Sequence, residues 1–215
     1  MFDRVSIKLQ AKERFRENTG NAICIMLVLM AIEIVVGLLT AIPLMGVVLQ
    51  VVIVPLSVGA VYAYSEIWQG RKAQVVDFLN ESFDNFGRKL GGMLWMTLWV
   101  ILWALLFYIP GIVKAFSYAM TPYILARYPN VPAKQALRIS MRAMHGHKLD
   151  LFVFSLSFLG WALLSALTGG ILYVLYVGPY LQIAQAGAFE DILNDAIARG
   201  AVSEEELGIA GDANA

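Results

Sequence analysis

Few side chains in this sequence stand where they could do chemistry, and Glu33 is the first. It lies near the middle of an apolar run from Asn21 to Ile42, long enough to cross a bilayer as a helix. A charged side chain at such depth costs about 2.5–3.5 kcal/mol on insertion scales, so Glu33 must be protonated, paired or facing water. The second is Lys114, followed by Ser117, Tyr118 and Thr121 at spacings of three, four and seven. Those spacings put the four on one helical face. Glu33 and Lys114 could share a charge or a proton in a small polar cavity. Equally, Glu33 could be protonated and structural while the Lys114 ammonium reaches the headgroups along its apolar stem.

The remaining motifs carry less. His145 and His147 flank Gly146; a spacing of two divides them between helix faces, and no cysteine or carboxylate stands at ligand spacing, so no metal site is expected. Trp95, Trp99 and Trp103 recur every four residues, and Tyr173, Tyr176 and Tyr180 nearly so. Packing against lipid or a neighbouring helix explains both stripes without a cofactor. The single Cys24 excludes an internal disulfide. There is no nucleophile–base set, glycine-rich phosphate loop or paired-carboxylate site, so neither an enzyme nor a cofactor is expected.

The composition says what must position these residues. The 215 residues are 59% hydrophobic and 15% charged, with mean hydropathy +0.68, whereas soluble domains carry about 25% charged residues. Charges balance to zero, so there is no basic excess to suggest a nucleic-acid partner. The charged first 18 residues and the length of the next apolar run argue against a cleavable signal peptide. The expected fold class is an all-α membrane protein. Six transmembrane helices are read at Asn21–Ile42, Val47–Ile67, Leu90–Ile109, Ile112–Ala126, Leu149–Leu167 and Ile171–Phe189. They pair into hairpins through Pro43-Leu44-Met45-Gly46, Pro110-Gly111 and Thr168-Gly169-Gly170, residues that break helices and permit tight reversal. Ile112–Ala126 is the shortest, about 22 Å as a helix, and could be tilted, longer or re-entrant.

Every Lys and Arg except Lys114 falls before the first span, after the last, or in the loops joining hairpins. The positive-inside rule makes that side cytoplasmic, with both termini inside. Each hairpin is preceded by an amphipathic stretch ending near a glycine, and each return span contains one proline: Pro55, Pro122 and Pro179. Trp103-Ala104-Leu105-Leu106 also matches Trp161-Ala162-Leu163-Leu164. These agreements predict three parallel repeats, about 1–68, 69–127 and 128–195, within one domain. Lys8, Lys12 and Arg16, and likewise Lys134, Arg138 and Arg142, recur every four residues. Such helices are expected in the headgroup layer against anionic lipid. The middle amphipathic helix carries Asp77, Glu81 and Asp84 and could pair with its basic neighbours. From Ala196 the chain is small and acidic, and a mobile tail that buries no core is expected.

The run from Ile109 to Ala126, with Ala136-Leu137-Arg138-Ile139-Ser140, Gly146-His147-Lys148, Gly160-Trp161 and Pro179-Tyr180, resembles an uncharacterised bacterial integral-membrane family, a domain of unknown function. That family is similar in turn to the membrane-embedded part of some glycerophosphodiester phosphodiesterases. The resemblance implies a polytopic protein of the bacterial inner membrane, with motif positions at Pro110, Gly111, Lys114, Tyr118, Pro122, Tyr123, Gly146, Lys148, Gly160, Trp161, Pro179 and Tyr180. It implies no activity, since the phosphodiesterase barrel has no counterpart here. Three functions stay open: a non-enzymatic module for lipids, small amphiphiles or membrane-active peptides; a small transporter or channel, proton-coupled through Glu33; and a scaffold for a partner protein.

Overall fold

Among the described residues the regular structure is all helical, and several helix boundaries have a clear local cause. The computed structural model describes residues 2–39 and 43–209. Helix α1 (Arg4–Glu17) starts where the Asp3 carboxylate accepts from the amides of Val5 and Ser6, at 3.0 and 3.4 Å, a side-chain N-cap. It is followed by α2 (Thr19–Leu39), α3 (Pro43–Trp68), α4 (Val75–Phe83) and α5 (Phe86–Leu106). Then come α6 (Tyr108–Tyr118), α7 (Thr121–Arg127), α8 (Ala133–Ala143), α9 (Lys148–Leu156) and α10 (Leu159–Leu167). A π-helical turn at Tyr173–Val177 leads into α11 (Gly178–Ala198), and a short 3₁₀ turn at Glu205–Leu207 follows.

Among the described residues three stretches are long and apolar enough to cross a membrane: Thr19–Leu39, Phe86–Leu106 and the nearly continuous Lys148–Leu167. Their outward side chains fit an apolar solvent: Leu38, Leu105 and Leu167 are among the most exposed large hydrophobic residues. A row of this kind in water would be an aggregation surface. Two of the expected return spans are interrupted. Pro122 has no N–H to donate, and the helix breaks at Ala119–Met120 between α6 and α7. Before Pro179 the backbone widens into the π turn, with the Gly178 amide bonding back to the Tyr173 carbonyl, a local adjustment that absorbs a missing donor. Pro55 lies inside α3 without ending it.

The reversals are partly as the sequence suggests. At Thr168-Gly169-Gly170 both glycines have positive φ, 61° and 87°, and the Gly170 amide reaches the Ser165 carbonyl at 2.8 Å. The other observed corner is displaced. The chain turns at extended Phe107, so Pro110 and Gly111 lie in the first turn of α6, where proline needs no partner. Gly111 instead permits close approach: a Cβ there would stand 2.6 Å from the Ala104 Cα of α5. Residues 40–42, the end of the first expected span, lie outside the described residues, and the first expected turn, Pro43-Leu44-Met45-Gly46, instead forms the start of α3.

The chain divides into two compact units. One contains Asp3–Asp84 and Leu156–Gly187. Here α3 packs on α2 and α4, and the Tyr64 hydroxyl donates to the Ala22 carbonyl at 3.2 Å. Phe15, Trp161, Tyr176, Tyr180 and Phe158 form a chain of ring contacts 5.4–5.9 Å apart. The other unit contains Asn85–Ser155, Phe2 and the chain from Ala188. Here α5 packs on α6, α7 and α8.

One side chain fastens this second arrangement. The Arg88 guanidinium, on α5, donates to the carbonyls of Leu125 (2.6 Å), Val131 (2.8 Å) and Tyr128 (3.2 Å). Carbonyls at a helix C-terminus have no partner within the helix, and Arg88 supplies one for α7 and for the turn into α8. Arg88→Ala should therefore destabilise the protein in detergent by about 2–3 kcal/mol, given the strength of charge-assisted bonds, with little recovery in Arg88→Lys. Equilibrium unfolding in mixed micelles measures this; an unchanged midpoint for Arg88→Ala would remove the fastening role.

Candidate functional site

Helix α8 is the strongest amphipathic element, and the structure corrects how it is used. Ala136, Leu137, Ile139, Ser140 and Ala143 are buried against α5, α6 and α7, and Met144 beyond them is fully covered. The apolar side thus faces protein, not the acyl region. Its register is set by a hydrogen bond: the Ser140 hydroxyl donates to the Ser117 carbonyl at 2.9 Å. That carbonyl is available because α6 stops at Tyr118 and does not continue through Pro122. The opposite face of α8 presents Lys134, Arg138 and Arg142, all exposed.

Beside α8 runs a furrow of about 350 Å³, lined by Trp95, Trp99, Trp103, Lys114, Tyr118 and, from α8, Lys134, Leu137, Arg138 and Met141. The three tryptophans lie at four-residue intervals along α5, about 12 Å from first to last at 1.5 Å per residue. Trp95 and Trp99 meet edge to face at 6.0 Å. The Lys134 Nζ lies 5.7 Å from the Trp95 ring centre. The Lys114 Nζ lies 5.2 Å from that of Trp103 and 5.9 Å from that of Tyr118. Both are cation–π distances, and Trp is the strongest ring for that contact. Among the described residues no carboxylate lines the furrow.

A second cavity, about 720 Å³, shares Lys134, Arg138 and Met141 with the furrow and adds Pro132, Gln135, Arg142 and Glu206. Both Glu206 oxygens accept from the Arg142 Nη2, at 2.8 and 2.9 Å, and the Gln135 amide donates to the Glu206 carbonyl at 3.1 Å. The Arg142 guanidinium, followed by the Ser203 amide, holds the Glu206 carboxyl below its usual range. The expectation that nothing past Ala196 is buried fails here. Val202 and Leu207 are covered and seat the segment carrying Glu206. Two apolar residues five apart do not form a periodic pattern, so sequence reading passed over them.

The predicted site residues divide accordingly. Lys114 and Tyr118 join Lys134 and Arg138 in one furrow, uniting two groups expected on opposite sides of the membrane. Ser117 turns inward and donates to its own helix at Val113, 2.8 Å away. Thr121 is fully buried, its hydroxyl without a hydrogen-bond partner among the described residues. Glu33 is exposed on α2 beside Ile34 and Val35 and belongs to the other compact unit, so the two members of the expected Glu33–Lys114 pair fall in separate units. Lys12 and Arg16 are exposed on α1, while the Lys8 ammonium lies 4.8 Å from the Phe158 ring. Trp161 contacts Tyr176, and Gly146 has φ 95° between α8 and α9. No group of His, Cys, Asp and Glu among the described residues could hold a metal.

His147 has partners that spacing does not reveal. Its Nε2 lies 2.9 Å from an Asp195 oxygen, its Nδ1 3.4 Å from Asp150, and the Phe2 ring 6.3 Å away. Arg199 completes the cluster, with its Nε 2.6 Å from Asp195 and its Nη1 donating to the His145 carbonyl. Asp195 is 48 residues from His147, which is why the pairing was invisible in one dimension.

A family model described as Protein of unknown function (DUF975) matches residues 105–196. The chain is similar to that family over α6 to α11. Lys114, Tyr118, Lys134 and Arg138 fall inside the match; Glu33, the three tryptophans and Glu206 fall outside it. No curated protein and no solved structure matches the chain.

The His147 hydrogen bond, and after it Arg199, hold Asp195 below its ordinary value of 3.8. A carboxyl depressed in the folded state stabilises fully above its unfolded value and loses that contribution as pH falls through the folded one. The melting temperature should therefore fall on acidification below 3.8, and Asp195→Asn should weaken that fall. Thermal denaturation across an acid series checks both; equal acid slopes for the two proteins would remove Asp195 from the account.

Proposed function

We propose that this is a polytopic membrane protein that binds a lipid or small amphiphile in the furrow along α5 and does not transform it. One observation carries the reading. The Lys114 and Lys134 ammonium groups lie against the tryptophan ladder of a helix of membrane-crossing length, and among the described residues no carboxylate lines that furrow. An amphiphile supplies what such a surface lacks, apolar chain for the ring faces and an anionic head for the cations. Tryptophan, with an apolar body and a polar tip, suits that boundary.

In its fuller form the reading has six crossing helices with both termini in the cytoplasm of a bacterial inner membrane. Three similar units, about 1–68, 69–127 and 128–195, each comprise a short amphipathic helix, a crossing helix and a proline-bearing return. The order of elements supports this, since α1–α2–α3, α4–α5–α6–α7 and α8–α9–α10–α11 each run short, long and returning. Lys8, Lys12 and Arg16 then meet anionic headgroups. The resemblance to phosphodiesterase membrane segments rests on its residues alone and contributes no activity.

The test is retention of amphiphile by the full chain in nanodiscs. Brominated phospholipid should quench the furrow tryptophans, and the double variant Trp99→Leu, Trp103→Leu should retain markedly less co-purifying lipid by native mass spectrometry. Equal retention would defeat the reading.

A second reading, a small proton-coupled transporter or channel, is favoured by one feature. Glu33 is an exposed carboxylate on a crossing-length helix, with no hydrogen bond or ion pair among the described residues. Such residues mark ion or proton paths when they serve a function. On that reading Glu33→Gln abolishes pH-dependent flux in proteoliposomes; flux that keeps its pH dependence rules the coupling out.

A further inference from the structure

The two cavities of the α5–α8 region share Lys134, Arg138 and Met141 and so adjoin each other, with unlike linings. One is lined by the tryptophan ladder. The other is lined by a row of three cations at four-residue spacing along α8, Lys134, Arg138 and Arg142. That row is nearly unneutralised. Among the described residues Glu206 is the only carboxylate lining either cavity; of the three cations it pairs with Arg142, and its carboxylate also accepts from the Ser203 amide at 3.3 Å. Lys134 contacts the Trp95 ring, and Arg138, one turn from Arg142, has no carboxylate partner among the described residues.

We infer that this cationic cavity is a phosphate subsite for an anionic phospholipid, and that Glu206 is an internal stand-in which the lipid phosphate displaces from Arg142. The inference rests on the amphiphile reading above and specifies the head that the furrow accepts.

Three features support it. The guanidinium fork matches tetrahedral phosphate oxygens as well as it matches a carboxylate, so Arg138 and Arg142 can both address one phosphate where Glu206 reaches only one of them. Glu206 is also built to let go. Its side chain is about one third exposed, and the segment that bears it is held independently by buried Val202 and Leu207 and by the Ser203 hydroxyl accepting from the Glu206 amide at 3.2 Å. Releasing the carboxylate therefore leaves its anchors in place. Finally, the two kinds of surface are divided between the cavities: Trp95, Trp99 and Trp103 line only the furrow, and Arg142 lines only the adjoining cavity.

The experiment uses the full chain in phosphatidylcholine nanodiscs, titrated with phosphatidic acid and read by native mass spectrometry and tryptophan quenching. Glu206→Gln removes the competing charge and should tighten phosphatidic acid binding about tenfold, the loss of roughly one charge-assisted contact. Arg138→Gln and Lys134→Gln, both at exposed positions, should each weaken it by about the same factor. Inorganic phosphate alone should not compete at millimolar concentration. Phosphatidylcholine bound as tightly as phosphatidic acid, or Glu206→Gln leaving the affinity unchanged, overturns the phosphate subsite while the amphiphile reading survives. Full competition by inorganic phosphate overturns the lipid as its source. Failure of every lipid to bind, with no dependence on Trp99 or Trp103, overturns the reading beneath it.

Discussion

Everything about the α5–α8 surface depends on how the end of a short helix is satisfied. Helix α7 has only seven residues, so its terminal carbonyls are a large fraction of its hydrogen-bonding groups. Water is one remedy, but near an apolar phase it is scarce and an unpaired carbonyl is costly. Arg88 reaches across from α5 and takes the Leu125, Tyr128 and Val131 carbonyls together. That single guanidinium ties α7 and the turn before α8 to the crossing-length helix. Without it the placing of α8 beside the tryptophans would rest on its buried face and the Ser140–Ser117 hydrogen bond.

Proline acts on the same surface. A continuous helix through Ser117–Met120 would keep every carbonyl inside its own ladder. The break ahead of Pro122 frees the Ser117 carbonyl, and Ser140 of α8 takes it. A helix fault thus becomes a docking point for the next helix. The same break lets α6 end just after Lys114, so its ammonium stays beside Trp103 and Tyr118. In a medium of low dielectric a cation is expensive unless something faces it. The ring quadrupoles provide part of that compensation, worth about 0.5–2 kcal/mol per contact, and leave the charge itself available.

Much of this fold is legible in one dimension, and the reasons are physical. Apolar runs of membrane length and the Thr168-Gly169-Gly170 reversal depend on local residue chemistry, so they can be read from the chain; the prolines of the return spans are legible, but the interruptions beside Pro122 and Pro179 are not read from them. What fails depends on contacts remote in sequence. Helical spacing groups Lys114, Ser117, Tyr118 and Thr121, but the Ser117 hydroxyl bonds back to Val113 within α6, and Thr121 lies beyond the break, in α7. The tryptophan stripe reads as packing until Lys134, some 40 positions later, is laid over Trp95. Leu137 and Met144 mark an amphipathic helix, yet nothing in their spacing says whether the apolar face meets lipid or protein. His147 with Asp195, and Arg142 with Glu206, join residues separated by 48 and 64 positions, beyond any periodicity.

The charge balance of the chain has a different meaning once positions are known. Equal numbers of acids and bases suggest internal neutralisation, but Coulomb energy depends on distance, not on totals. Around α8 three bases face one acid in the cavity they line, and that acid comes from a segment seated by two apolar side chains. A local excess of this kind repels itself and raises the energy of the folded state unless counterions, headgroups or a bound anion compensate it. Surface cations in water solve the problem by solvation and need no fixed partner. Lys134, set against the Trp95 ring, has less water to draw on, and under the proposed amphiphile reading an anionic head supplies the compensation.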